Sequence, residues 1–146
     1  MKKYVLILLL LRFFISPSHA EVKYIDESGL NKLLHQGYNK TVLVFWATYC
    51  PYCKALLQTL NENSIYFKRN KINIIAISVD KNPSLVTDFV EKVKYPFNFY
   101  IDRGDLKRKF NAYYIPVTAI FDKDGRLEDT FPGNKPFSEL KSYLEE

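Results

Sequence analysis

The chain has 146 residues, of which 47% are hydrophobic, 25% charged and 16% aromatic, enough for one globular domain and too few for two ordinary ones. Five glycines, seven prolines and no biased tract argue against a fibrous or disordered protein, and two cysteines exclude a multi-disulfide scaffold or a four-cysteine zinc site. The formal charge is +5, but much of it belongs to the first segment.

Residues 1–20 read as an export signal that is removed. Met1-Lys2-Lys3 is a positive start, Tyr4 to Leu11 an unbroken apolar run, and Ser18-x-Ala20 places small residues three and one before a cleavage point. Arg12 interrupts the apolar stretch, and an arginine near the centre of a spanning helix costs about 2.5–3.5 kcal/mol, so cleavage is expected over an uncleaved anchor. No cysteine follows Ala20 for lipid attachment. Without Lys2, Lys3 and Arg12, 18 basic residues face 16 acidic ones, a balance of +2. Such scattered charge offers no clustered basic face for nucleic acid. The runs Lys68-Arg69-Asn70-Lys71 and Lys107-Arg108-Lys109 read as solvated helix ends. His35, the one histidine beyond residue 20, lies in a short amphipathic stretch and takes no role.

Residues 21–146 read as one α/β domain. Ser28 to Gln36 is a helix stopped by Gly37, and Thr41 to Trp46 is a β-branched and aromatic run suited to a strand buried on both faces. Lys54 to Asn63 carries Leu56, Leu57 and Leu60 at helical spacing, and Ile72 to Val79 is a second buried strand ended by Asp80. Pro83 to Val93 is a helix with Leu85, Val86, Phe89, Val90 and Val93 on one face. Phe97 to Ile101 is a short strand and Asp105 to Phe110 a helical turn or two. Val117 to Phe121 and Arg126 to Phe131 flank Asp122-Lys123-Asp124-Gly125, a hairpin signal, and Ser138 to Leu144 is a closing helix. Alternating strands and helices predict parallel pairing with helices on both faces, to which the hairpin adds antiparallel strands.

The chemistry lies in Trp46-Ala47-Thr48-Tyr49-Cys50-Pro51-Tyr52-Cys53-Lys54. A buried strand ends, a short loop follows, and two cysteines open a helix at a spacing that lets their sulfurs bond. Cys50 falls near the first turn, where unpaired N–H groups and the positive end of the helix dipole favour a thiolate. Pro51 suits that place because its missing N–H has no helical partner there anyway. Cys53, further along the helix, is expected to be less exposed and to resolve a mixed disulfide. A zinc half-site lacks its second half, and a purely structural bridge over so short a loop constrains the unfolded chain little.

At these residues the sequence resembles the thioredoxin superfamily, and more narrowly the exported TlpA/ResA/CcmG-type thiol–disulfide oxidoreductases. Val42 to Lys54 is similar to their strand, W-A-T-x-C-x-x-C-K loop and helix, and Ile74 to Asp80 to the next strand. Tyr113-Tyr114-Ile115-Pro116-Val117-Thr118, followed by Phe121-Asp122-Lys123-Asp124-Gly125, is similar to their cis-proline loop and hairpin. The resemblance implies a thioredoxin fold, with a central mixed sheet between helices on both faces. It implies Cys50 and Cys53 as the catalytic dithiol, and Trp46, Pro51, Tyr52, Ile115 and Pro116 as the substrate-contacting surface. Pro116 is implied to follow a cis bond and face the cysteines, with the Ile115 backbone pairing with an extended substrate.

Three positions depart from the pattern. Val44 stands where thioredoxins have a buried aspartate, Leu56 where ResA-like proteins have a glutamate, and Gln58 where many relatives have a proline. Neither familiar carboxylate is present to move the proton of Cys53, which leaves water or another acid such as Asp80. Pro51-Tyr52 is more typical of glutaredoxins, although export and the rest of the motif disfavour glutathione.

The resemblance thus implies a monomeric periplasmic enzyme that reduces protein disulfides. It takes electrons from a membrane thiol–disulfide carrier of the DsbD/CcdA type, with apocytochrome c cysteines as the extension of that role. No cofactor and no metal is implied. Three other functions fit the sequence less well. An oxidase or isomerase would carry a histidine between its cysteines and a large helical insertion, and a copper-binding or chaperone module would use C-x-x-x-C and a distal histidine. A peroxidase fits the paired cysteines and the Trp46 loop less well.

Overall fold

The computed structural model describes residues 21–146; the expected signal peptide, residues 1–20, lies outside the described residues. In chain order the elements are β1 (Tyr24–Ile25), α1 (Glu27–Leu34), β2 (Lys40–Trp46), α2 (Pro51–Glu62), α3 (Ser64–Arg69) and β3 (Ile72–Ser78). There follow α4 (Pro83–Val93), β4 (Asn98–Asp102), α5 (Asp105–Lys109), β5 (Val117–Asp122), β6 (Leu127–Pro132) and α6 (Phe137–Leu144).

The six strands form one mixed sheet in the order β1-β4-β3-β2-β5-β6. β2 and β3 pair in parallel from Lys40 beside Ile72 to Trp46 beside Ser78, and β4 and β1 continue the parallel half. β5 runs antiparallel to β2 and turns through the hairpin into β6. Gly125 closes that hairpin at φ +74°, a left-handed conformation that glycine adopts without a Cβ penalty.

Successive side chains of a strand point to opposite faces, so the apolar runs feed two cores. Val42, Val44 and Trp46 join Leu56, Leu57 and Leu60 of α2, Phe67 of α3, Val86 of α4, and Leu140 and Leu144 of α6. Leu43, Phe45, Ile75 and Ile77 face the other way, against Leu30 and Leu34 of α1 and Leu106 of α5. Each such buried apolar side chain is worth about 1.5–3 kcal/mol relative to exposure. The expected α/β architecture, a mixed sheet with helices on both faces, is the one observed.

Two elements go beyond the sequence reading. β1 is a two-residue edge strand, with Tyr24 beside Ile101 and Ile25 beside Asp102. α3 is a separate short helix whose start at Asn63 has φ −103° and ψ 18°; it ends in the basic run predicted to be solvated. Among the described residues no helix is long and apolar enough to cross a membrane.

Candidate active site

β2 delivers the site. Its last residue, Trp46, is wholly buried, with its ring 4.8 Å from that of Phe89 on α4 and 5.6 Å from that of Phe99 on β4. This corrects the expectation that Trp46 contacts substrate. The indole sits in the central strand under α4, where it supports the loop from below and presents no surface.

Beyond Trp46 the chain turns out of the sheet. The Cys50 N–H donates to the Ala47 carbonyl at 3.1 Å, and Cys50 then caps α2, its sulfur accepting from the Cys53 N–H at 3.1 Å. Pro51 occupies the first helical position, as expected. Cys50 and Cys53 are joined in a disulfide with their Cα atoms 5.2 Å apart. Cys50 is 8% exposed and Cys53 0%, so attack from outside can reach only the first sulfur. When the bridge opens, the Cys50 sulfur keeps its N–H donor and its place at the positive helix end, both of which favour the thiolate. No acidic residue stands in the first turn of α2 to oppose this.

A carboxylate holds the loop from the neighbouring strand. Asp80, just past β3, accepts from the Thr48 N–H at 2.9 Å and the Thr48 hydroxyl at 2.6 Å. The Ser78 hydroxyl donates to the same carboxylate at 2.6 Å and accepts from the Asp80 N–H at 3.0 Å. Of the two sources considered for moving the Cys53 proton, Asp80 is thus committed elsewhere: its hydrogen bonds among the described residues go to Thr48 and Ser78. Both ends of this clamp, the Thr of W-A-T and the Asp after β3, stand in the sequence, but no local spacing signals their contact.

The opposite wall comes from the segment before β5. The Ile115–Pro116 peptide bond is cis, and the Pro116 carbonyl accepts from the Gly133 N–H at 2.8 Å. The Ile115 carbonyl oxygen lies 3.8 Å from the Cys50 sulfur, a plain contact in the disulfide and within reach of an S–H once the bridge is reduced. Ile115 and Pro116 are therefore brought to the cysteines across the sheet edge. Tyr52, 71% exposed, rises from the first turn of α2, and the ring of exposed aromatics is wider than expected, taking in Tyr49, Tyr113 and Tyr114. Among the described residues no cluster of His, Cys, Asp and Glu is arranged to hold a metal.

A mixed sheet between two helical layers, a disulfide opening a helix at a parallel strand's end, and a cis-proline loop against it define a thioredoxin-fold protein of the TlpA/ResA/CcmG-like class. The chain belongs to the AhpC/TSA family, whose model matches residues 19–130. It is 28% identical over 103 residues to the thiol-disulfide oxidoreductase ResA of Bacillus thuringiensis subsp. konkukian, covering 70% of this chain and 60% of that protein. It is 26% identical over 111 residues to the sporulation thiol-disulfide oxidoreductase A of Bacillus subtilis, covering 73% of this chain and 67% of that one. The match thus spans less than two thirds of the length of the ResA protein. Among solved structures, StoA from Bacillus subtilis superposes with a TM-score of 0.64 at 25% identity over 74% of this chain and 83% of that one. The exposed lipoprotein thioredoxin of Streptococcus pneumoniae gives 0.68 at 21% identity, over 87% of this chain and 100% of that one, a likeness of fold.

Proposed function

We propose that this protein is an exported thiol–disulfide oxidoreductase that reduces disulfides in other proteins. The observation that carries the reading is a bonded cysteine pair whose outer sulfur caps a helix at the surface while the inner one is sealed beneath it. The relatives named as thiol-disulfide oxidoreductases support it.

In the reduced protein the Cys50 thiolate attacks one sulfur of a substrate disulfide. The substrate S–S bond breaks, a Cys50–substrate disulfide forms, and the departing substrate thiolate takes a proton from solvent. The Cys53 sulfur, losing its proton to water, attacks Cys50; the second substrate thiolate leaves and is protonated. Two electrons and two protons have then passed to the substrate, and Cys50–Cys53 is a disulfide again. A membrane dithiol carrier of the DsbD/CcdA type restores the dithiol by the same exchange in reverse. Ile115 and Pro116, with Pro51 and Tyr52, form the surface against which an extended substrate lies, pairing with the Ile115 backbone. The finer reading is a monomer in the periplasm, directed there by residues 1–20, acting on cysteine pairs of apocytochrome c.

The test is trapping. Cys53→Ser, reduced and mixed with a disulfide-bonded protein, is expected to accumulate a covalent complex through Cys50 that dithiothreitol dissolves. Cys50→Ser is expected to form none. Absence of the complex with Cys53→Ser, or equal trapping by both variants, overturns the reading.

A further inference from the structure

An open cleft of about 630 Å³ lies between the ends of β3 and β4, with Asp80 in its wall. Three cations line it, Lys81, Arg103 and Lys107, together with two acids, Asp80 and Asp102. The acids bond neutral donors and keep their charge, so the three cations leave the cleft a formal balance of +1. Asp80 holds Thr48 and Ser78, while Asp102 accepts from the Leu106 N–H at 3.1 Å and the Lys107 N–H at 2.9 Å to start α5. The cations have no such commitment. The carboxylates near them are paired elsewhere, Asp105 with Arg108 and Glu27 with Lys109. Arg103 lies instead 5.8 Å from the ring centre of Tyr24, and Lys107 5.5 Å from that of Tyr113. Among the described residues, none of the three has a carboxylate partner.

The cleft is joined to the redox centre at two points. Asp80 belongs to its wall and to the clamp on the Cys50 loop. Tyr113, under Lys107, stands two residues before Ile115, whose carbonyl faces the Cys50 sulfur. A polypeptide held at Ile115 and leaving over Tyr113 therefore passes Lys107, which lines one cleft with Arg103 and Lys81. Donors without acceptors at that place suit carboxylates.

We propose that this cleft receives Asp and Glu side chains that flank the disulfide of the substrate protein, so that acidic disulfide segments are the preferred substrates. The proposal rests on the thiol–disulfide reading and adds a charge preference to it. It works chiefly on encounter and orientation, and so weakens as salt screens it.

The test uses three disulfide-linked peptides identical except for flanking Glu, Gln or Lys pairs, each reduced by the fully reduced protein at 20-fold lower and then higher salt, roughly 25 mM and 500 mM NaCl. At low salt the Glu peptide is expected to be reduced with a second-order rate constant about five- to tenfold above that of the Lys peptide, with the gap closing towards unity at high salt. Arg103→Glu with Lys107→Glu reverses the order. The milder pair Arg103→Gln with Lys107→Gln, which keeps the stems packed on the tyrosines, abolishes the preference without reversing it. Equal rates for all three peptides overturn this proposal alone, as does a preference that survives both double variants. Equal peptide rates together with saturable inhibition by inorganic phosphate at constant ionic strength assign the cleft to a small anion and likewise overturn it. Failure to reduce any of the peptides overturns the thiol–disulfide reading, and the charge preference with it.

Discussion

Asp80 reaches across from the end of β3 to hold Thr48 by both its N–H, at 2.9 Å, and its hydroxyl, at 2.6 Å. The active-site loop is thus tied to a strand other than the one that delivers it. Charge-assisted bonds of this kind, once one partner is removed, leave buried donors unpaired at about 1–3 kcal/mol each. Asp80→Ala is therefore expected to lower stability by about 2–4 kcal/mol and Thr48→Val by about 1 kcal/mol, read from urea unfolding of the oxidised protein. Asp80→Ala is also expected to make the Cys50–Cys53 bridge easier for added thiols to reach, since Thr48 is released. An unchanged urea midpoint in Asp80→Ala would remove the clamp from the account of the loop.

The unequal burial of the two sulfurs gives a chemical prediction. Iodoacetamide added to the reduced protein is expected to modify Cys50 at least about tenfold faster than Cys53, because reactivity follows exposure and thiolate character. Cys53, with none of its surface exposed, is expected to label only when the protein unfolds. Peptide mapping over time reads both rates, and preferential labelling of Cys53 would reverse the assignment of attacking and resolving cysteines.

Asp122 supplies the pH dependence that the hairpin carries. Its carboxylate accepts from the Arg126 N–H at 2.8 Å and the Asp124 N–H at 2.9 Å, and the bond from Arg126 is the main cause that draws its pKa below the ordinary 3.8. A carboxyl with a lower pKa in the folded state stabilises the fold fully above the unfolded value, and that contribution is lost as pH falls through the folded one. Acid below about pH 4 is therefore expected to weaken the β5–β6 hairpin. Asp122→Asn is expected to lose stability at pH 7 and show a flatter response between pH 5 and pH 2. Equilibrium unfolding of both proteins across that range checks the slope.

Gly125 closes the same hairpin at φ +74°, and a Cβ there would come within 2.9 Å of His35 Cε1. The imidazole is the end of a side chain that can turn away, so the backbone conformation sets most of the penalty. Gly125→Ala is expected to cost about 1–2 kcal/mol, whereas Gly125→Asn is expected to cost less because asparagine visits the left-handed region more readily. Thermal unfolding of the two variants distinguishes them.

Much of the fold could be read in advance because the strands that matter most are those buried on both faces. Val42 to Trp46 and Ile74 to Ile77 are unbroken apolar runs, and only the centre of a layered sheet demands that. β1 had no such mark: two residues at an edge, paired only with β4, bury too little to impose a pattern. α3 was hidden because Asn63 breaks the helix with no proline or glycine to announce it. At the site, the cysteine spacing and Pro51 were legible because helix-capping chemistry is local. The burial of Trp46 is not legible in the motif, which shows which residues travel together and not which way the strand turns them. The Asp80–Thr48 clamp and the three cations beside it come from separate loops, and only the parallel order of β2, β3 and β4 brings them to one edge.

The most direct measurement is the redox equilibrium of the Cys50–Cys53 pair. The protein is equilibrated in thiol/disulfide buffers spanning the glutathione and dithiothreitol ranges, and free cysteines are counted by a mass tag after acid quenching. The expected result is a reversible two-electron transition with a midpoint at or below about −250 mV, close to the −270 mV or so of thioredoxin and suited to reducing other proteins. A midpoint near about −120 mV, that of a strong oxidant, would contradict the direction of electron flow. A pair that stays closed across the whole range would contradict the redox cycle itself.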